Sequence, residues 1–366
     1  MVLPQVLFLG VDLVSFSLDL AAFVGLYLIV SLSTNLEYGY AGIPNFGKVL
    51  FVLAGAAVGG AFTSHFAVWL LNVPVKGDFV ANDFLIIPQV NTILQGNIPL
   101  SVGLLILALF VAGVAGGLFG FIFSFPAIRL KEDYLAMLLF GMAAIFQLFV
   151  IDYTPLAGGT FGLQVPDVFA WAGDYRFVAA TGAILLFGFL TYACFELIAR
   201  SPAGRALRAM RDSSVAAEAC GKDTIAMRRN VLIVASAFSA VAGALYVFYT
   251  TDVLGGSFNM TPWTFWPLVI VIIGGIANNA GVLLGTGVFL FALKALDAVK
   301  YQFTNILPFD VTWLEYFLIA AVLVSIIMLR PQGLLTEKPS ATIPRKQFEE
   351  IRARFEPKKE EKSAEG

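Results

Sequence analysis

Polar positions in this chain are grouped rather than interspersed. Apolar runs near or above the ~18–20 residues needed to cross a hydrocarbon core recur at 17–36, 46–71, 98–123, 134–150, 176–199, 230–250, 263–276, 280–297 and 312–329. Such continuous runs, without period-two alternation, predict helical spans rather than barrel strands. Segments 263–276 and 280–297 are short and joined by "IANNA", which predicts a tight hairpin whose first limb falls short of a full crossing. Residues 1–16 hold a further half-span candidate. The expected fold class is an all-α polytopic membrane bundle of roughly eight to ten transmembrane or re-entrant helices.

Composition agrees. Of 366 residues 59% are hydrophobic and 13% charged, against about 25% charged in a soluble domain. The net charge of −2 is too balanced for nucleic-acid binding. Placement of charge says more. Arg129 and Lys131, the stretch 200–229 with Arg200, Arg205, Arg208, Arg211, Lys222, Arg228 and Arg229, and the tail from Arg330 are basic. The positive-inside rule puts them in the cytoplasm. Loops 72–97, 151–175, 251–262 and 298–311 carry Asp78, Asp83, Asp152, Asp167, Asp174, Asp252 and Asp310 against Lys76 and Lys300, so they are expected outside. A transmembrane domain is expected over 1–335, with a cytoplasmic polar tail at 336–366 that has room for a short amphipathic helix near 346–355. The start lacks the basic n-region of a signal peptide and reads as mature protein.

Catalytic and metal chemistry has little to build on. Cys194 and Cys220 offer neither a disulfide framework nor a zinc pattern. His65 is the single histidine and reads as a hydrogen-bonded residue at a helix interface. No phosphate-loop motif occurs. Asp12, Asp19, Glu196, Lys294 and Asp297 are the ionisable candidates in or beside spans, and each reads as interfacial, with Lys294 and Asp297 able to pair at i, i+3. Of the glycine clusters, "AGVAGGLFG" reads as helix packing.

"RSPAGRALRAMRDSSVAAEACGKDTIAMRR", residues 200–229, carries good helix punctuation. Ser201 can cap a helix opening at Pro202. Asp212 or Ser213 can cap a second, and Gly221 can end it in the left-handed conformation. The result is a helix-turn-helix with low-profile alanine faces at Ala206, Ala209, Ala216, Ala217 and Ala219. A solvated basic loop is the plainer alternative.

This stretch resembles the cytoplasmic coupling loop of permease subunits of ABC importers for branched-chain amino acids and related small polar solutes. "AIRLKEDYLAML" is similar to the family's Arg-Leu-Arg-Gly-x-Tyr-x-Ala block through Arg129, Leu130, Tyr134 and Ala136. "LAGGTFGL" resembles an external segment through Gly158, Gly159, Gly162 and Leu163. "VIIGGIANNAGVLLGTG" resembles a glycine-rich hairpin through Gly274, Gly275, Gly281 and Gly285, and "LRPQGLL" ends the last span as the family does. After "GYAG" the family usually has Ser-Leu-Gly-His where this chain has Asn45-Phe46-Gly47-Lys48, and Glu132 replaces a glycine.

The resemblance implies a subunit of a prokaryotic plasma-membrane importer with no catalytic site and no cofactor of its own, ATP and Mg being held by partner subunits. Its implied partners are a second homologous permease or a second copy, two cytosolic ATPases, an external solute-binding protein and lipid. It assigns docking to residues 202–221, with Arg205, Arg208, Arg211, Asp212, Ala217, Glu218 and Gly221 as coupling residues. For the solute route the expected breaks are Gly42, Asn45 and Gly47; Gly158, Gly159 and Thr160; and Gly274, Gly275, Asn278 and Asn279. Irregular backbone at membrane depth is tolerated where it is buried or lines a cavity. Packing hinges compete with that reading. An ATP-independent channel or facilitator for a small polar solute is the alternative function, and a membrane scaffold a third.

Overall fold

The computed structural model describes residues 7–8, 11–74, 77, 79–130, 132–300, some positions between 316 and 330, and 332–337. Helix α1 spans Leu13–Thr34, α2 Lys48–Leu70, α3 Asp83–Gln95, α4 Ile98–Arg129, α5 Glu132–Asp152, and the single turn α6 Thr154–Ala157. Then come α7 Arg176–Arg200, α8 Pro202–Asp212, α9 Ser214–Ala219, α10 Thr224–Thr250, α11 Trp266–Gly274 and α12 Asn279–Lys300. Among the described residues seven helices are long and apolar enough to cross a membrane. They match the first six expected spans and 280–297. The ninth, 312–329, falls largely outside the described residues, as does 346–355.

Small residues decide the packing. Helix α10 lies between α2 and α4, and glycines let the backbones touch. A Cβ on Gly55 would lie 2.0 Å from the Ala240 carbonyl oxygen, and one on Gly243 would lie 1.9 Å from that of Val52. On α4 the same holds for Gly116 against the Ser236 carbonyl and Gly120 against that of Leu232, at 2.6 and 2.8 Å. "AGVAGGLFG" is therefore a packing stripe. Without a hydrophobic gain between helices in lipid, this close approach supplies the van der Waals contact. Outward faces of α4, α5 and α7 instead carry large apolar side chains such as Phe110, Met137, Ile145 and Phe189, all exposed.

The contacts also set directions. Later residues of α4 meet earlier residues of α10, so these two are antiparallel, whereas α2 runs parallel to α10. Thr181 donates to the Leu18 carbonyl and Gly25 meets Ile184, so α1 and α7 are parallel. Consequently Tyr40, Arg129, Arg200, Thr224 and the α8–α9 pair share one end of the bundle.

The opposite end holds a departure from expectation. The connection 72–97 contains α3, which buries Ile86, Ile87, Val90 and Leu94. Its Asp83 Oδ2 accepts from the Gln164 amide at 2.8 Å and its Asn91 Oδ1 accepts from the Asp167 amide at 2.8 Å. Strand β3 (Leu163–Gln164) pairs antiparallel with β4 (Asp252–Val253), and Arg176 is ion-paired with Asp167. Near the N-terminus, Leu7–Phe8 and Val11–Asp12 pair as short strands, so helix begins only at Leu13. Lys294 pairs across to Asp19 at 2.7 Å, with Tyr249 also donating to that carboxylate. His65 bonds the Ala61 carbonyl at 2.8 Å and packs on Phe79.

Substituting Gly243→Ala is expected to lower stability by about 1–3 kcal/mol through overpacking. Gly103→Ala, where a Cβ meets nothing within 4 Å, should leave the thermal midpoint in detergent unchanged or raise it. Equal midpoints for the two variants would refute the close-approach account.

Candidate functional site

The site begins where α1 fails to end cleanly. Its last turns widen into a π-helical segment, Asn35–Tyr40, and such segments recur at functional sites. Gly42, at φ +70°, reverses the chain beside Arg211. Residues 43–47 then run back into the bundle, where Gly47 lies against the Leu139 carbonyl. Leu139 is seven residues into α5, roughly 10 Å along a helix rising 1.5 Å per residue. The Val49 amide donates to Thr264 Oγ1 at 3.0 Å, satisfying one of the free N–H groups that open α2.

At this re-entry sits a charged pair with no solvent access. Lys48 Nζ lies 2.8 Å from Glu37 Oε2, both side chains 0% exposed. Asn45 Nδ2 donates to both Glu37 oxygens at 3.2 Å, and Asn45 Oδ1 accepts from the Gly47 amide at 3.0 Å. Glu37, Asn45 and Lys48 thus tie the π segment to the start of α2. Glu37 was not among the expected site residues. An acidic residue inside "STNLEYGY" was the available signal, since ionisable groups in a span are costly and rarely idle.

The second break, Gly275–Asn278, joins the first. Gly275 and Ala277 take φ of +117° and +57°. Asn35 Oδ1 accepts from the Ala277 amide at 2.9 Å and Asn35 Nδ2 donates to Asn279 Oδ1 at 3.0 Å. Asn279 Nδ2 in turn donates to Glu196 Oε2 at 3.1 Å, and Arg200 pairs with Glu196 at 2.7 Å. Gly274 allows α11 and α12 to touch, a Cβ there lying 2.4 Å from the Gly281 carbonyl oxygen.

The third break stands apart. Gly158, Gly159 and Gly162 have φ near +70 to +80° and lie at the far end of α5, packed around Thr154 and Val253. Backbone of Thr160 forms part of a 3₁₀ turn there, and its side chain lies outside the description. The structure therefore brings together Gly42, Asn45, Gly47, Gly274, Gly275, Asn278 and Asn279, but not the Gly158–Thr160 group. These glycines serve backbone approach and reversal, which is what a packing hinge requires.

Helices α8 and α9 form the expected helix-turn-helix. Ser201 Oγ accepts from the Gly204 amide at 3.4 Å, Pro202 opens α8, Ser213 Oγ accepts from the Ala216 amide at 3.3 Å, and Gly221 follows α9 at φ +74°. Leu207, Met210 and Ala217 are buried, while Arg205, Ala209, Asp212, Ala216 and Glu218 are exposed, as is Val215.

The arginines part company. Arg205 faces outward. Arg208 lies over the Tyr40 ring at 5.0 Å and 3.2 Å from Glu337, and Arg211 donates to the Gly39 carbonyl at 2.6 Å and to Glu337 at 3.0 and 3.3 Å. Burial works against the Arg211 charge, yet Glu337 and Asp212 outweigh it and hold its pKa above the ordinary guanidinium value.

Residues 16–327 match the family model described as branched-chain amino acid transport system / permease component. The chain belongs to this family. A probable branched-chain amino acid transport permease protein LivM of Methanocaldococcus jannaschii is 38% identical over 342 residues, covering 92% of this chain and 97% of the relative. High-affinity branched-chain amino acid transport system permease proteins LivM of Escherichia coli and Salmonella typhimurium are 24% and 25% identical over 250 residues, covering 62% of this chain and 56% of theirs. No solved structure matches. As a member of this permease family the chain is a multi-pass transport protein, and among the described residues no group of three or more metal-ligating side chains is present.

Lys48→Met is expected to cost about 3–5 kcal/mol by leaving the Glu37 carboxylate buried without its partner, and the double variant Glu37→Met/Lys48→Met should recover most of it. Thermal unfolding in detergent checks this. A single variant as stable as the native chain would show that the pair holds nothing.

Proposed function

We propose that this chain is one permease half of an ATP-driven ABC importer for branched-chain amino acids or related small polar solutes. It forms the solute path with a second permease subunit or a copy of itself, receives solute from an external binding protein, and is driven by two cytosolic ATPases docked on α8–α9. The basic end of the bundle, with Arg129, Arg200, Arg205 and Arg229, faces the cytoplasm by the positive-inside rule. The end bearing α3 and β3–β4 faces out.

The observation that carries this reading is the capped helix pair between α7 and α10 that exposes Val215, a large apolar side chain, together with Ala209 and Ala216 and the charged Arg205, Asp212 and Glu218. An exposed valine and exposed alanines on one surface pair of helices are suited to a groove on a partner. Arg205 supplies an outward charge for an ATPase carboxylate. Arg208 and Arg211 are engaged within the chain, so their part in coupling is to hold α8. Leucine, isoleucine or valine is the favoured cargo, since the relatives' names carry that substrate class.

Arg205→Glu combined with Val215→Glu should abolish co-purification of the ATPase subunits and ATP-dependent uptake, leaving the chain's stability within about 0.5 kcal/mol of native, as for other surface changes. Retained co-purification with normal uptake would remove the docking assignment. In liposomes the chain alone should concentrate no solute; uptake driven by an ion gradient without partners would favour the channel or carrier reading instead.

A further inference from the structure

Residues 332–337 grip the bundle at several points. The Leu334 and Leu335 amides donate to the Ile273 and Gly274 carbonyls at 2.8 and 3.0 Å, extending the end of α11 as a short backbone pairing. Asn278 Nδ2 donates to the Thr336 carbonyl at 2.9 Å. Approach is so close that a Cβ on Gly275 would lie 2.0 Å from the Leu335 oxygen, and Gly333, at φ +72°, faces Gly275 in the same way. Having gripped the α11–α12 turn, the segment sends Glu337 to the other side. Its carboxylate meets Arg208 and Arg211 of α8 and nothing of the turn.

We propose that residues 332–337 are a strap that makes α8 and the Gly274–Asn279 turn one mechanical unit, with Glu337 as the positioning residue. The proposal rests on the importer reading for its consequence, because a displacement of α8 by ATPases then reaches the turn through Glu337. Arg211 carries the same displacement to the first break through the Gly39 carbonyl, and Asn35 closes the loop between the two breaks. Arg211 Nη2 donates to both Glu337 oxygens, at 3.3 and 3.0 Å, which gives the contact a direction, and Arg208 adds an ion pair at 3.2 Å without a hydrogen bond from its Nε. A terminal anchor alone would need only the backbone pairing.

Two measurements on the full chain test this. With the protein in lipid nanodiscs, amide exchange in Glu337→Gln and Glu337→Ala should quicken roughly tenfold or more in both α8 and residues 274–282, the signature of a lost local constraint. With the chain assembled with its partner subunits, the same variants should keep the ATPases bound and hydrolysing, while solute moved per ATP falls about fivefold or more, a loss of coupling rather than of binding. Glu337→Asp, which keeps the charge, should recover part of that ratio. Unchanged exchange in both variants overturns the strap whatever the energy source. Quickened exchange with an unchanged solute-to-ATP ratio overturns the relay and leaves the importer reading standing. Absence of ATP-dependent uptake by the native assembly overturns the importer reading, and the exchange comparison then decides the strap alone.

Discussion

A lysine and a glutamate shut away from water govern the geometry of this permease. Taking both ions from solvent is expensive, and their attraction repays the cost only where geometry is good and leftover hydrogen-bonding capacity is filled. Lys48 and Glu37 meet at 2.8 Å, and the carboxylate's remaining capacity is filled because Asn45 donates to it while its own oxygen receives the Gly47 amide. The pair therefore fixes how residues 41–47 turn back into the bundle. With that re-entry fixed, α2 begins about two turns inside α5, and its glycines Gly55 and Gly59 come level with Ala240 and Ala244 of α10. A looser re-entry would let α2 slide along α10 and lose the register in which backbone meets backbone.

From the same knot the polar contacts spread around a ring. Asn35 joins the π segment to the α11–α12 turn, Asn279 joins that turn to Glu196 near the end of α7, and α7 leads through Ser201 into α8. Arg211 returns from α8 to Gly39. At the Ala277 amide and the Gly39 carbonyl the ring supplies hydrogen bonds to backbone where regular helix gives way, as an apolar setting demands. Two alternate arrangements of such a ring are easier to imagine than continuous bending, because packed interfaces shift between discrete fits.

The sequence was most legible where the signal was local or summed over a long window. Apolar runs located the spans, and Ser201, Pro202, Ser213 and Gly221 placed both short helices, since caps depend on neighbours three residues away. Two kinds of feature escaped. Helix α3 is too polar for a span window, and its apolar positions 86, 87, 90 and 94 speak only at helical period. The partners of Arg208 and Arg211 were invisible because Glu337 lies 129 and 126 residues away, and nothing local distinguishes an arginine that docks a partner from one that holds its own fold. The three glycine breaks looked equivalent in sequence. Contacts across α5 separate them, two at one end and the Gly158–Gly162 group at the other.

On the proposed importer reading, arginine placement on α8 decides how force would enter the bundle. An element that spent all three arginines on a partner would be held to its own domain by the apolar side chains Leu207 and Met210 alone, and those slide readily because dispersion contacts have no direction. Here the inward pair supplies direction while the outward face, Arg205 with Ala209, Val215 and Ala216, stays free to fit a groove. A contact transmits a change of state only if its free energy differs between the states. On the proposed importer reading, the outer face would take up that difference and the inner face, bonded through Arg211 to Gly39 and Glu337, would pass on the displacement.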